Sequence, residues 1–143
     1  LEQVVEAFRL AKKVGLETLG FFMFGLPGET EETMQETIDF AKKLDPDYAK
    51  VTILVPFPST PIYHELESKG LIKTKDWSKY NFHTASRVYN HENLDWETLE
   101  KYYAKFYHQF FFRPSYIGKR AVKGIVNGRI FYDTYYFIKT WIV

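Results

Sequence analysis

The chain has 143 residues, 26% charged and 45% hydrophobic, with a formal net charge of +1. That length suits one ordinary domain with a single core, and the composition excludes intrinsic disorder. Cysteine is absent, which excludes disulfides, thiolate metal sites, a cysteine nucleophile and any cysteine-held iron–sulfur cluster within these residues. No apolar run reaches the roughly 18 residues of a transmembrane helix.

Charge is unevenly placed. Residues 1–100 carry 11 Lys and Arg against 17 Asp and Glu, whereas residues 101–143 carry 8 against Asp133 alone. Of the 27 aromatic residues, 14 lie in those last 43 positions, so the C-terminal part differs in kind from the body and suits an anionic partner, a membrane surface or another part of a larger protein. The opening Leu1-Glu2-Gln3-Val4-Val5 has neither an initiator Met nor a signal-peptide pattern. A start in mid-helix leads us to expect a piece of a longer protein.

Val4, Ala7, Phe8, Ala11 and Val14 recur at helical spacing, and Gly15 follows Lys12 and Lys13 as a C-terminal cap. The apolar run from Leu19 to Phe24 is short and aromatic, which predicts a buried strand. Gly25-Leu26-Pro27-Gly28 breaks it. Thr30 is the expected N-cap of the next helix, with Glu31 and Glu32 in a first turn that favours anions and Met34, Ile38, Ala41 and Leu44 facing inward. Asp45-Pro46-Asp47 stops this helix.

Ala49–Val55 reads as a second strand, ended by Pro56-Phe57-Pro58. Thr60-Pro61 opens a third helix in the order cap, then proline, with Ile62, Tyr63 and Leu66 as its apolar side and Gly70 closing it. Residues 71–93 form an irregular, aromatic-rich loop. Asp95 caps a longer helix with Leu94 as a hydrophobic staple, and Leu99, Tyr103, Phe106 and Phe110 share one side of it. Pro114-Ser115 interrupts, and a further helix runs to about Asn127-Gly128. For Arg129–Val143, where Ile130, Tyr135 and Ile138 sit at helical spacing, helix and strand both remain open.

Two strands separated by a helix imply a crossover and parallel pairing. Two are too few for a stable buried parallel sheet. Either the C-terminal part covers them, or they end a larger sheet.

In parallel α/β sheets, ligands bind at the carboxyl ends of the strands. Gly25-Leu26-Pro27-Gly28-Glu29-Thr30 occupies one such place, where glycine permits close backbone approach and the helix start presents free N–H groups. Taken alone it serves equally as a tight strand-to-helix turn. It is neither a Walker loop nor a dinucleotide fingerprint. The second such place is Val55-Pro56-Phe57-Pro58-Ser59-Thr60-Pro61-Ile62-Tyr63, whose backbone carbonyls suit a flat heterocycle and whose prolines equally suit a plain rigid turn.

Together, a strand ending Phe-Gly-Leu-Pro-Gly-Glu-Thr, a helix, Pro-Asp, and a strand ending Pro-Phe-Pro-Ser-Thr-Pro-Ile-Tyr resemble the later part of the radical S-adenosylmethionine enzymes. The pattern is most similar to the branch with an N-terminal cobalamin-binding domain, including the anaerobic magnesium-protoporphyrin monomethyl ester cyclase type. The match covers roughly residues 5–70. Asp76-Trp77-Ser78-Lys79-Tyr80, the Leu94-Asp95 helix and Arg113-Pro114-Ser115-Tyr116 are similar to that branch's C-terminal extension.

The resemblance implies an α/β fold: a fragment of a partial (β/α)6 TIM-type barrel holding the last two strands in residues 1–70, with a helical, aromatic-rich C-terminal extension in residues 71–143. It implies S-adenosylmethionine and a 4Fe-4S cluster as cofactors of the parent protein, with cobalamin as a further cofactor of the branch. The cluster ligands belong to a three-cysteine loop after the first strand, which this chain does not contain. Carried over residue by residue, it sets Gly25, Pro27, Gly28 and Glu29 near the cofactor and Leu54, Val55 and Pro56 against the adenine. Ser59 stands where the branch usually has Gly, and Gly20, Gly25 and Glu29 depart from the spacing of the family's glycine–apolar–glycine–glutamate signature.

The expected function is therefore that of part of a cytoplasmic oxidoreductase, cyclase or methyltransferase, inactive alone, whose partners are the missing N-terminal part and a small-molecule substrate, large and planar or lipid-like. A fragment of this kind is expected to expose apolar strand edge and to dimerise unless its tail folds back. The alternative is a non-enzymatic module whose basic aromatic tail binds a protein or an anionic membrane surface. Nucleic acid is the weaker partner, since no RNA-binding module is recognisable.

Other residue types point elsewhere. His64, His83, His91 and His108 lack metal-ligand spacing. Glu31 and Glu32 are explained by the helix dipole, as Lys42-Lys43 are at the other end. Tyr102, Tyr103, Phe106, Tyr107, Phe110, Phe111 and Phe112 are too dense for one buried stripe, and Arg113, Lys119, Arg120, Lys123 and Arg129 follow them. They suit a helical cap over the open end of a barrel, a surface facing a planar substrate, or a membrane interface.

Overall fold

Thr30 sets the start of the central helix as its chemistry requires: its hydroxyl accepts from the Thr33 N–H while the Thr33 hydroxyl accepts from the Thr30 N–H. The computed structural model describes residues 1–81, 86–126, 128 and 135. His83 and the remainder of the ambiguous C-terminal segment, including Arg129, Ile130 and Ile138, lie outside the described residues. The order is α1 (Glu2–Lys13), β1 (Leu19–Phe24), α2 (Glu31–Leu44), β2 (Tyr48–Ile53), α3 (Pro61–Ser68), α4 (Trp96–Phe111) and α5 (Pro114–Val126), with one 3-10 turn at Trp77–Lys79. Two units are distinguished, residues 1–107 and residues 108–143.

In the first unit β1 and β2 pair in parallel, Leu19 opposite Tyr48 and Phe24 opposite Ile53. Both strands start from a reciprocal pair: Asp47 Oδ2 accepts from the Thr18 N–H at 2.9 Å, and Thr18 Oγ1 accepts from the Asp47 N–H at 3.1 Å. The second strand ends two residues sooner than the sequence pattern predicts. Its partner stops at Phe24, so after the Leu54 N–H donates to the Phe24 carbonyl at 2.7 Å no ladder remains for Val55.

The sheet has two unlike faces. Gly20, Phe22 and Phe24 lie opposite Ala49, Val51 and Ile53 on the covered face. Met34, Ile38, Ala41 and Leu44 of α2 join this core, as does Phe106 of α4, whose ring sits 5.3 Å from Phe22 and 6.1 Å from Phe24. On the other face Leu19, Phe21 and Met23 are exposed, Phe21 to 70%. Among the described residues β1 pairs with β2 alone. The far edge of β2 is closed instead by Tyr107, whose hydroxyl meets both the N–H and the carbonyl of Val51.

Helix α1 is amphipathic as expected, yet none of its residues is fully buried. Spacing shows which side could be covered, and whether a cover exists depends on what packs there. The irregular stretch after α3 forms one short antiparallel bridge, Ile72 with Tyr89. The Asp95 carboxylate caps α4 by accepting from the Thr98 N–H at 2.6 Å.

Within the second unit Phe110 is buried and contacts Phe111 and Tyr116, while the Arg113 guanidinium lies 4.5 Å over the Phe110 ring. Along α5, Ile117, Val122, Ile125 and Val126 are exposed. No helix among the described residues is long and apolar enough to cross a membrane.

Candidate functional site

Parallel pairing in register brings the two predicted loops side by side at one end of the sheet. The loop after β1 divides into buried ends and an exposed tip. Gly25 and Glu29 are buried, whereas Leu26, Pro27 and Gly28 are exposed. Gly25 takes φ +82°, a left-handed conformation that disfavours side chains, and a Cβ there would also strike the Tyr89 hydroxyl. Glu29 turns back under its own loop, and its carboxylate accepts from the Gly25 N–H. Burial raises the Glu29 carboxyl above the ordinary range, and the N–H groups of Gly25 and Leu26 and the nearby His91 offset this in part.

The loop after β2 is anchored from within the core. Leu54, Val55 and Pro56 are all buried, and Phe57, Pro58 and Ser59 form its exposed part. Ser59 takes φ +65°, the conformation in which glycine is favoured. The Thr60 hydroxyl donates to the Phe57 carbonyl at 2.7 Å and accepts from the Tyr63 N–H at 3.3 Å, so turn and helix start are joined through one side chain. Thus all seven predicted contact residues gather at the carboxyl ends of two neighbouring strands. Pro27 and Gly28 present exposed backbone, while Leu54, Val55 and Pro56 lie in the interior beside them.

Sequence reasoning missed the groups that hold this arrangement. Residues 89–93, part of the stretch expected to be a loop, reach the first turn repeatedly. The Tyr89 hydroxyl donates to the Gly25 carbonyl at 2.9 Å, His91 Nε2 lies 2.8 Å from the Leu26 carbonyl, and Asn93 Nδ2 donates to the Glu29 carbonyl at 3.3 Å. His91 Nδ1 accepts from the N–H groups of Asn93 and Leu94, so the proton resides on Nε2, which donates to Leu26. Tyr89 is fully buried, and burial with Glu29 nearby pushes its hydroxyl up, keeping it a donor. No periodicity announces bonds of this range; the aromatic and amide side chains of residues 89–93 are the one local sign of them. Leu26 and Phe57 are exposed apolar side chains at the two loop tips.

Elsewhere, a polar recess of about 460 Å3 is lined by Thr74, Ser78, Lys79 and Arg87, but Lys79 pairs with Asp76 and Arg87 with Glu97 and Glu100. No three His, Asp or Glu residues cluster as metal ligands among the described residues.

Comparison with known proteins agrees with the pair of loops: the chain belongs to the radical S-adenosylmethionine enzymes, in the branch that includes the anaerobic magnesium-protoporphyrin cyclases. It is 37% identical over 92% of its length to an uncharacterized methyltransferase of Pyrococcus horikoshii, PH0819. It is 39% identical over 55% of its length to the anaerobic magnesium-protoporphyrin IX monomethyl ester cyclase of Cereibacter sphaeroides, and 39% identical over 49% to the bacteriochlorophyllide d C-8(2)-methyltransferase of Chlorobaculum tepidum. The matched region spans 30%, 13% and 16% of these relatives, respectively. No protein-family model matches the chain.

Proposed function

We propose that the chain supplies one wall of the S-adenosylmethionine site in a longer, cytoplasmic enzyme that acts as a methyltransferase or cyclase, and that it is inactive alone. The observation that carries this reading is the 2.7 Å hydrogen bond from the Leu54 N–H to the Phe24 carbonyl, which sets the two loop-bearing strand ends against each other. Pro27 and Gly28 would meet the cofactor through backbone at the exposed tip, and the backbone of residues 54–56 would flank its adenine.

The unequal sheet supports the same reading. One edge is closed by Tyr107 and one face by α2 and α4, while among the described residues no further strand pairs with β1, beside exposed Phe21 and Met23. That suits the last two strands of a partial (β/α)6 barrel whose earlier strands pair with β1. In the whole enzyme S-adenosylmethionine, with a 4Fe-4S cluster, would supply the radical or methyl-transfer chemistry, with cobalamin as the branch's additional carrier. The ligands of the cluster would come from outside this chain, which has no cysteine. What these residues contribute is binding, orientation and exclusion of water.

The test is S-adenosylmethionine binding by the anaerobically reconstituted whole gene product. Gly28 has φ +78° with open space beside it, so Gly28→Val distorts the loop tip without a clash in the core. Weakened binding with an unchanged fold is expected, and unchanged affinity would remove these loops from the site. A cluster spectrum from the 143-residue chain alone would overturn its proposed dependence on outside ligands.

A second reading, an interaction module, is favoured by α5. Ile117, Ala121 and Ile125 recur every fourth residue on an exposed side, next to Val122 and Val126, with Lys119, Arg120 and Lys123 on the same helix. That pattern suits an anionic membrane surface or a protein partner. Cosedimentation with phosphatidylserine vesicles that is strong and lost at high salt would favour it.

A further inference from the structure

We propose that Tyr89 is a positioning residue for the cofactor loop, so that a side chain of the C-terminal extension sets where Pro27 and Gly28 meet the ligand. This rests on the reading of the loop given above. The loop's own hydrogen bonds are short-range: the Glu29 N–H donates to the Leu26 carbonyl at 3.0 Å, and the Gly25 N–H donates to the Glu29 carboxylate. These fix the loop's internal shape but not its direction relative to the sheet. Direction is set where the chain leaves β1, at Gly25, and there the Tyr89 hydroxyl reaches the backbone carbonyl from outside the loop.

Tyr89 can fix a direction because it is itself held from behind. Its carbonyl accepts from Trp96 Nε1 at 2.7 Å, and the two rings meet nearly edge to face, 5.5 Å apart. The bridge to Ile72 and the bond from the Asn90 N–H to the Leu71 carbonyl tie the same segment to the end of α3. Gly25 completes the fit: the space that a side chain would need there is taken by the Tyr89 hydroxyl. His91 and Asn93 extend the contact to the carbonyls of Leu26 and Glu29. Three carbonyls of the loop are thus engaged by the extension, while the exposed tip between them stays open.

Tyr89→Phe removes the hydroxyl and keeps the ring. Tyr107→Phe is the matched control, because it removes a hydroxyl that also bonds main chain, but at Val51 on the far edge of β2. In the 143-residue chain, hydrogen exchange of the backbone amides of Gly25, Leu26, Gly28 and Glu29 should quicken in Tyr89→Phe and not in Tyr107→Phe. In the anaerobically reconstituted whole gene product, Tyr89→Phe should bind S-adenosylmethionine about tenfold more weakly, the effect of losing one buried hydrogen bond. Tyr107→Phe should bind as the wild type does.

Unaltered exchange in Tyr89→Phe, affinity within about twofold of wild type, or equal weakening in Tyr107→Phe would each overturn the proposal; twofold is about 0.4 kcal/mol, less than a buried hydrogen bond contributes. Gly28→Val separates the two levels. If that variant and the wild type bind alike, the site reading fails and the proposal with it. If Gly28→Val weakens binding and Tyr89→Phe does not, the proposal alone fails.

Discussion

The hydroxyl of Tyr107 lies 3.3 Å from the N–H of Val51 and 3.2 Å from its carbonyl, 56 residues away in the chain. One side chain thereby serves both main-chain groups that Val51 turns away from β1, doing the work of a third strand at that point. Burial pushes this hydroxyl up, so it remains protonated and able to donate while it accepts.

Tyr107→Phe should therefore lower stability by about 1–3 kcal/mol, because two main-chain groups lose their partner and regain water only in part. Denaturant unfolding would measure the loss, with an unchanged slope showing that the fold is retained. No change in the midpoint would mean that water already serves this edge.

Glu29 gives a pH-dependent prediction. Its carboxyl is raised in the folded state, chiefly by burial. The folded chain then holds the proton more firmly than the unfolded chain, so this group's contribution is fully present below the ordinary glutamate range and is lost as pH rises through the raised value. Glu29→Gln cannot ionise, so the loss is absent from the variant. The stability of Glu29→Gln relative to wild type should accordingly be greater at pH 7 than at pH 4. Unfolding curves for both proteins at the two pH values provide the test, and carboxylates common to both cancel in the comparison. A difference that does not vary with pH would contradict the raised carboxyl.

Ser59 offers a test of backbone strain apart from packing, since it is exposed and takes φ +65°. Ser59→Gly should be neutral or stabilising by up to about 1 kcal/mol, the relief of the left-handed conformation being set against greater freedom in the unfolded chain. Ser59→Val should cost about 1–2 kcal/mol. Thermal unfolding of the two variants would show the order, and a valine variant as stable as the glycine one would remove the argument.

These positions also show what a sequence can carry. Thr30, Thr60 with Pro61, and Asp95 were legible because a cap acts within three residues of itself, and the parallel pair was legible from one helix between two apolar runs. The two loops became a candidate site through their order along the chain. The end of β2 was not legible, because it is decided by where β1 stops. Nor were Tyr89, His91 and Tyr107, which act across 56 to 65 residues and leave no local pattern. The apolar side of α1 was legible as a side but not as exposed, since its cover depends on what lies next to it.

That exposure leads to a prediction about association. Phe21 is 70% exposed on the open face of β1, and Leu19 and Met23 share that face. A free strand edge beside apolar side chains favours pairing with another chain. The 143-residue chain should self-associate at rising concentration, with β1 as the contact. Phe21→Glu should abolish this while leaving stability within about 0.5 kcal/mol, because an exposed side chain contributes little to the core. Sedimentation equilibrium of both proteins over a wide concentration range decides the matter. A wild-type chain that stays monomeric throughout shows that this face does not drive association, and an associating Phe21→Glu variant moves the contact away from β1.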